Sequence, residues 1–137
     1  MSLTPDDTVN ILQLYSRYST AIDTGDGAGF ANCFVPDGVF DNGMNVLEGF
    51  EAISKFAVQT HSAMPGMRHN ATNIVVDSIA AADAADTSTD RAQGSAFLIG
   101  YVVDGGYKVI VTGRYIDELV KTADGWRFSR RVFKMDS

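Results

Sequence analysis

Hydrophobic residues recur every three or four positions in the first part of the chain, which predicts an amphipathic helix that runs to about Ile22. Thr4 can cap its start, Pro5 suits its first turn, and the acids that follow favour the positive end of the helix dipole. Gly25 is suited to the end of the helix. One face of this helix is therefore expected to be buried.

Two shorter helices are predicted after it. Asp26 can cap the first, over residues 28–34, and residues 36–38 then have the composition of a turn. A hydrophobic stripe from Phe50 to about His61 predicts the second, because proline and glycine follow it and break the pattern. The helical part of the chain therefore ends before residue 65.

Most of the remaining hydrophobic runs favour β-strands. The pair Asn42-Gly43 is typical of a tight hairpin turn and joins residues 39–41 to residues 45–47. The alanine-rich residues 80–86 have little to bury and are interpreted as a loop. Four β-rich runs separated by turn residues predict a meander of antiparallel hairpins: residues 74–76, 96–103, 107–119 and 126–133.

This order of elements predicts an α+β fold, with three helices of the N-terminal half packed on one side of a curved, mainly antiparallel sheet. At 137 residues the chain is expected to form one domain, residues 1–137. Its hydrophobic content of 45% is ordinary for a globular protein and leaves enough apolar side chain to line a core or a pocket. No internal repeat is found.

Charge narrows the range of partners. The net charge of -6 repels phosphate backbones and anionic lipids, so neither nucleic acid nor a membrane surface is expected as a partner. No apolar run approaches the length of a membrane helix. Cys33 has no second cysteine to pair with, which favours a cytoplasmic setting. The two histidines lie eight residues apart without a carboxylate pair, and no nucleotide-binding glycine motif is present, so we expect neither a metal nor a cofactor.

Six short strings carry a resemblance over nearly the whole chain: LYSRY (14–18), AIDTGD (21–26), FVPDG (34–38), RHNATN (68–73), GRYID (113–117) and DGWRF (124–128). In this order they resemble the SnoaL-like branch of the nuclear transport factor 2-like superfamily. The resemblance implies a cone-shaped α+β barrel around a pocket for a small, largely apolar molecule. It leaves the reaction open, because such proteins include dehydratases, polyketide cyclases, ketosteroid isomerases and members without a reaction.

Three residues match the scytalone dehydratase, dehydrochlorinase and bile-acid dehydratase types. In these the first helix ends with an aspartate and the strand after the third helix begins with a histidine, as Asp23 and His69 do here. Tyr18 stands five residues before that aspartate, as in the bile-acid dehydratase type. The resemblance implies that His69 is a general base, that Asp23 orients it, and that Tyr18 donates to an oxygen that gains charge or departs.

Each of these residues also has a purely structural interpretation. Asp23 could be a turn or capping residue, His69 a strand residue bonded to backbone, and Tyr18 a core aromatic. Arg114 could point into the cone as a substrate clamp or outward into solvent, and the same two alternatives apply to Arg131, which a strict period of two places on the face of Arg127, Ser129 and Phe133.

The leading hypothesis is a cofactor-independent lyase or isomerase, dehydratase-like, in which His69 and Asp23 carry out general acid-base chemistry on a small hydrophobic cyclic or polyketide-like substrate. A ketosteroid isomerase or polyketide cyclase is one alternative, although the isomerase base falls at Asn42 and the nearest carboxylate, Asp41, is displaced by one position to the other face of the strand. A non-catalytic module that binds a hydrophobic ligand is the other. The resemblance further implies a homodimer through the open face of the sheet, with a homotrimer as second choice.

Overall fold

Three helices pack on one side of a single six-stranded sheet in the computed structural model, which describes residues 3–79 and 90–137. The helices are α1 (Pro5–Thr24), α2 (Gly27–Ala31) and α3 (Phe50–Ala63). The strands are β1 (Phe34–Asp41), β2 (Val46–Glu48), β3 (Met67–Ser78), β4 (Arg91–Val102), β5 (Lys108–Thr122) and β6 (Gly125–Met135). Their order across the sheet is β2-β1-β6-β5-β4-β3, in which β1 and β6 run parallel and every other pair antiparallel. The predicted α+β fold on a mixed sheet is confirmed.

The start of α1 is fixed as its sequence predicts. The hydroxyl of Thr4 accepts from the backbone N–H of Asp7, and the carboxylate of Asp7 accepts from the backbone N–H of Thr4, which is a complete capping box. The same carboxylate accepts from the Trp126 indole at 3.1 Å and the Lys121 ammonium at 3.0 Å. Asp7 therefore ties the first turn of α1 to β5 and β6.

These contacts make Asp7 a pH-dependent element of stability. The bonds from Thr4, Trp126 and Lys121 lower the pKa of Asp7 well below its ordinary value. The contribution of a lowered carboxyl pKa is complete above the unfolded value of about 3.9 and is lost as pH falls through the folded value. We expect Asp7→Asn to lower the free energy of unfolding near neutral pH by about 1–3 kcal/mol. Urea titrations near pH 7 and pH 3 measure it, and the gap to wild type should narrow at the lower pH.

The neighbouring carboxylate supplies the control for this prediction. Asp6 is exposed in the same helical turn, so Asp6→Asn should change stability little at either pH. A gap between Asp7→Asn and wild type that is equally large at both pH values would contradict the assigned role of the carboxylate.

The interior of the sheet is lined with small side chains where α1 approaches it. Ala92, Gly94 and Ala96 of β4 are all buried on this face. A methyl group at Gly94 would overlap the hydroxyl of Tyr15, so the absence of a side chain there makes room for that ring. Small residues on the strand thus let large residues of the helix enter the sheet.

Several predicted boundaries change. The short helix ends at Ala31 rather than residue 34, because Phe34 already pairs with β6. The predicted turn at residues 36–38 lies inside β1, where it shifts the register against β6 between Phe34 and Val39. β3 begins at Met67 and is much longer than the predicted run at 74–76. The predicted loop at 80–86 lies outside the described residues.

The outer face of the sheet carries exposed apolar side chains. Phe97 and Ile99 of β4 and Ile116 of β5 are 40–45% exposed, and Val75 of β3 is exposed as well. This is the face through which the resemblance implies a homodimer, and the oligomeric state stays a prediction. None of the described helices is both long and apolar enough to cross a membrane.

Candidate active site

Asp23 and His69, forty-six positions apart in the chain, meet in the fold. Asp23 lies in the last turn of α1, and His69 is the third residue of β3. Their side chains join through Asp23 Oδ1 and His69 Nδ1, 2.6 Å apart, and are only 12% and 9% exposed. The second carboxylate oxygen, Oδ2, accepts from the backbone N–H of His69 at 2.8 Å. Both oxygens of Asp23 are therefore committed to one residue.

This geometry sets the protonation of the imidazole. An ionised carboxylate accepts hydrogen bonds and cannot donate them, so Nδ1 must carry the proton in the contact with Asp23. The other ring nitrogen, Nε2, is then an acceptor in the neutral form. A ring held in one tautomer with a free Nε2 is the arrangement that a general base requires.

His69 lines a cleft of about 330 Å³ between α1 and β3. A β-bulge shapes its outer wall: the pairing of β3 with β4 shifts register between Thr72 and Val75, and Asn73 adopts a left-handed φ of 54°. The extra residue lets both Ala71 and Ile74 line the same cleft. The residues at its rim are exposed, so the cleft is open to solvent. The resemblance implies a closed pocket instead.

Tyr18 lies deeper than the cleft, at the centre of the aromatic core. It is 2% exposed and packs against five aromatic rings, those of Phe30, Phe34, Phe40, Tyr115 and Phe128. Burial raises the pKa of Tyr18 well above its ordinary value, and its hydroxyl is hydrogen-bonded with that of Tyr115. Tyr18 thus remains protonated at neutral pH and keeps a proton to donate.

Arg131 is completely buried beside these tyrosines. Its Nε donates to Asp117 Oδ1 at 2.9 Å and its Nη2 to Asp117 Oδ2 at 3.2 Å, while Tyr15 donates its hydroxyl to the same carboxylate. The guanidinium carbon lies 3.5 Å from the ring centroid of Tyr115 and 4.2 Å from that of Tyr18. Burial alone would lower the pKa of Arg131, but Asp117 reverses the effect and the net direction is upward.

The sequence predicts that Arg131 shares a strand face with Arg127 and Ser129, and this is wrong. A register shift in the pairing of β5 with β6 inserts Ser129 as an extra residue, so Arg131 faces inward together with Phe128 and not with Arg127 and Ser129. The Nη1 nitrogen of Arg131 is, within residues 3–79 and 90–137, the buried side-chain nitrogen without a hydrogen-bond partner.

Arg114 lies on the opposite face of the sheet, and the interior clamp considered for it is wrong. Gly113 and Tyr115 are buried on the inner face, so alternation along β5 turns Arg114 outward. There its guanidinium stacks over the exposed Phe97, 5.3 Å from the ring centroid. Arg114 belongs to the outer surface and not to the site.

Asp41 is the carboxylate nearest to the position that the base occupies in ketosteroid isomerases, and it also points away from the interior. Phe40 is buried at 3% exposure, and Asp41 next to it lies on the other face, 3.6 Å from the guanidinium of Arg130. Asn42 accepts from the backbone N–H groups of Met44 and Asn45 and so holds the hairpin turn. Neither residue offers a base to the interior, which removes the support for a ketosteroid isomerase mechanism.

Sequence reasoning missed three residues of this region. Ser19 and Tyr15 line the cleft with His69, and Tyr115 links Tyr18 to Arg131. Ser19 could have been found, because it lies four residues before Asp23 on the same helical face. Tyr115 could not, because no local pattern separates a core tyrosine from one that bonds a candidate donor.

Metal ligands are not grouped in the part of the chain that the structure describes. No three side chains from histidine, cysteine, aspartate or glutamate come together there. Burial raises the pKa of Cys33 to about 11, which keeps its thiol protonated and unreactive at neutral pH. The expectation of a cofactor-free protein stays a prediction.

The sequence matches the pattern of a known family over most of its length. The family is described as the SnoaL-like domain, and the match covers residues 4–132. No protein with a curated function matches.

Solved structures with the same architecture include proteins of unknown and of provisionally named function. One is a protein of unknown function from Mycobacterium tuberculosis, 28% identical, with a TM-score of 0.83 over 97% of this chain and 78% of that one. A provisionally named aromatic ring hydroxylase from Novosphingobium aromaticivorans is 27% identical, with a TM-score of 0.79 over 98% and 92%. A provisionally named scytalone dehydratase from the same organism is 20% identical, with a TM-score of 0.75 over 95% and 84%, a likeness of fold alone.

Proposed function

The chain belongs to the SnoaL-like domain family, and from the Asp23–His69 pair that it carries we propose that it is a cofactor-independent lyase or isomerase, dehydratase-like, that acts on a small cyclic or polyketide-like hydroxy-carbonyl compound. The proposal rests on one observation: Asp23 accepts from the ring of His69 with one carboxylate oxygen and from its backbone N–H with the other, and His69 lines a cleft. The names of the similar structures give weaker support, because they include both a hydroxylase and a dehydratase.

The proposed reaction begins with removal of a proton from the carbon next to the carbonyl. His69 Nε2 takes this proton, and Asp23 stabilises the imidazolium that forms. The electron pair of the broken C–H bond forms a carbon–carbon double bond as the hydroxyl on the adjacent carbon departs. The imidazolium returns its proton to that hydroxyl, which leaves as water, so the protein ends in its initial state.

Tyr18 is assigned to the developing negative charge. Its hydroxyl stays protonated because burial raises its pKa, and a neutral donor in a dry core stabilises an enolate oxygen more strongly than water would. Because Tyr18 lies below the cleft and its hydroxyl is bonded with that of Tyr115, this role requires a substrate oxygen to enter the aromatic core and replace Tyr115 as the acceptor. An isomerase would use the same three residues, with the proton returned to a different carbon.

Turnover of a panel of alicyclic and polyketide-like hydroxy-carbonyl compounds tests the proposal. Wild type is expected to release water from at least one of them, and His69→Ala to lose that activity, because the base is gone. His61→Ala is the matched control, since His61 lies on α3 and is not part of the cleft. Activity that survives His69→Ala would overturn the proposed chemistry, and a panel that is bound but never converted would favour the ligand-binding module.

A further inference from the structure

The cleft beside His69 has an apolar floor and a polar rim. The ring of Tyr15, Ala71 and Ile74 form most of the floor, to which Ser19 adds a hydroxyl at 9% exposure. Four exposed side chains with neutral hydrogen-bonding groups form the rim: Ser16 and Thr20 from α1, Asn70 and Thr72 from β3. Both walls of the opening therefore carry polar residues, above a surface on which a ring can lie.

The three hydroxyl residues of α1 come from one face of the helix. Ser19 and Thr20 follow Ser16 by three and four positions, the spacing that brings side chains together on a helix surface. Ser19 points deepest, and it stands one helical turn before Asp23. A ligand group bound by Ser19 would thus lie on the same side of the helix as the carboxylate that holds His69.

Permanent charge is absent from this lining. Of the described residues that line the cleft, His69 is titratable and none is a carboxylate, lysine or arginine, so an anion placed there could pair only with a protonated His69. The net charge of -6 on the whole chain further disfavours an anion. At about 330 Å³ the volume is near the lower end of the range of about 300–1,000 Å³ for small-molecule sites, which suits one or two rings.

We propose that this cleft selects uncharged rings that carry hydroxyl groups and that Ser19 is its specificity-determining residue. The inference rests on the proposed function for the identity of the site and deepens it, because it names the group that the cleft recognises and the residue that recognises it. It departs from the family resemblance, which implies a largely apolar ligand. Hydroxyl groups of the ligand bond with the rim and with Ser19, while its carbon skeleton lies on Tyr15 and Ile74. Carboxylated and phosphorylated analogues are rejected.

Protein NMR titration with three ring ketones tests the proposal without any need for turnover. The probes are cyclohexanone, 4-hydroxycyclohexanone and 4-oxocyclohexanecarboxylate, used at millimolar concentrations. The hydroxylated ketone is expected to shift the amide signals of α1 around Ser19 and of β3 around Asn70. It should bind about 2- to 10-fold more tightly than cyclohexanone, the effect of one added hydrogen bond. The carboxylate should bind at least about 10-fold more weakly than the hydroxylated ketone.

A pair of serine variants assigns the preference. Ser19→Ala should reduce the advantage of the hydroxylated ketone to below about 2-fold, because the hydroxyl on the floor is lost. Ser62→Ala makes the same chemical change on an exposed part of α3 and should leave the preference unchanged. Signal shifts outside α1 and β3, equal affinity for the three probes, or no shift with any of them would overturn the inference.

The outcome can be separated from that of the proposed function. If binding is selective and depends on Ser19 but the protein converts no compound, the assignment of the cleft stands and the proposed reaction is rejected. Turnover that depends on His69, combined with probe shifts elsewhere or without the hydroxyl preference, would do the reverse.

Discussion

Replacing Asp117 by Asn is expected to lower the free energy of unfolding by about 3–5 kcal/mol, because it leaves the guanidinium of Arg131 buried without its counter-charge. Arg131 is 0% exposed and Asp117 2%, so no water can replace the lost partner. The arginine cannot escape by losing its proton, because a guanidinium stays protonated in proteins. Chemical denaturation monitored by the fluorescence of Trp126 measures the change.

Two further variants make this prediction specific. Asp117→Leu combined with Arg131→Met and Tyr15→Phe removes both charges and the buried hydroxyl that Asp117 accepts, and should recover most of the stability, because a well-packed apolar cluster avoids the desolvation cost. Asp41→Asn breaks the exposed pair with Arg130, 3.6 Å apart, and should cost at most about 1 kcal/mol. A loss from Asp117→Asn as small as that of Asp41→Asn would contradict the assigned burial of the pair.

Replacing Asp23 by Asn is expected to reduce turnover by about 10²- to 10⁴-fold, the usual contribution of general acid-base catalysis. Asp23 accepts two N–H groups of His69, one from the ring and one from the backbone. An asparagine has one oxygen and one NH₂ group, so it can accept only one of the two and must face the other with a donor. The favoured response is that the ring proton moves to Nε2, which leaves Nδ1 to accept and removes the free base.

The matched control for this prediction lies three residues further along the chain. Asp26 caps α2 through the backbone N–H of Gly29, 2.9 Å away, and asparagine is an equally good capping residue. Asp26→Asn should therefore retain full turnover. Steady-state rates on whichever hydroxy-carbonyl wild type converts give the comparison, and an Asp23→Asn variant within about 3-fold of wild type would show that the carboxylate does not set the tautomer.

The sequence predicts the fold well because the signals that define it are local. The capping box at Thr4, the hairpin turn at Asn42-Gly43 and the hydrophobic stripe of α3 all lie where the pattern places them. The turn composition at residues 36–38 misleads, because β6 pairs alongside it and draws it into β1. Tertiary pairing overrides the local preference at that point.

The residues of the candidate site could be predicted only where a resemblance to known proteins pointed to them. Asp23 and His69 carry no local sign that they meet, and only the matched positions of similar proteins pointed to them. The inward position of Arg131 depends on the extra residue Ser129 in β6, which a strict period of two does not reveal. The lining of the cleft beside His69 could not be predicted either, because its two walls come from α1 and β3, which are distant in sequence.

The proposed chemistry depends on Asp23 holding the ring of His69 in one tautomer with a free Nε2. Long-range ¹H–¹⁵N correlation spectra of the neutral imidazole report which nitrogen carries the proton. The proton of His69 is expected on Nδ1 in wild type and on Nε2 in Asp23→Asn. A wild-type His69 with its proton on Nε2, or one that exchanges freely between the two tautomers as an exposed histidine does, would contradict it.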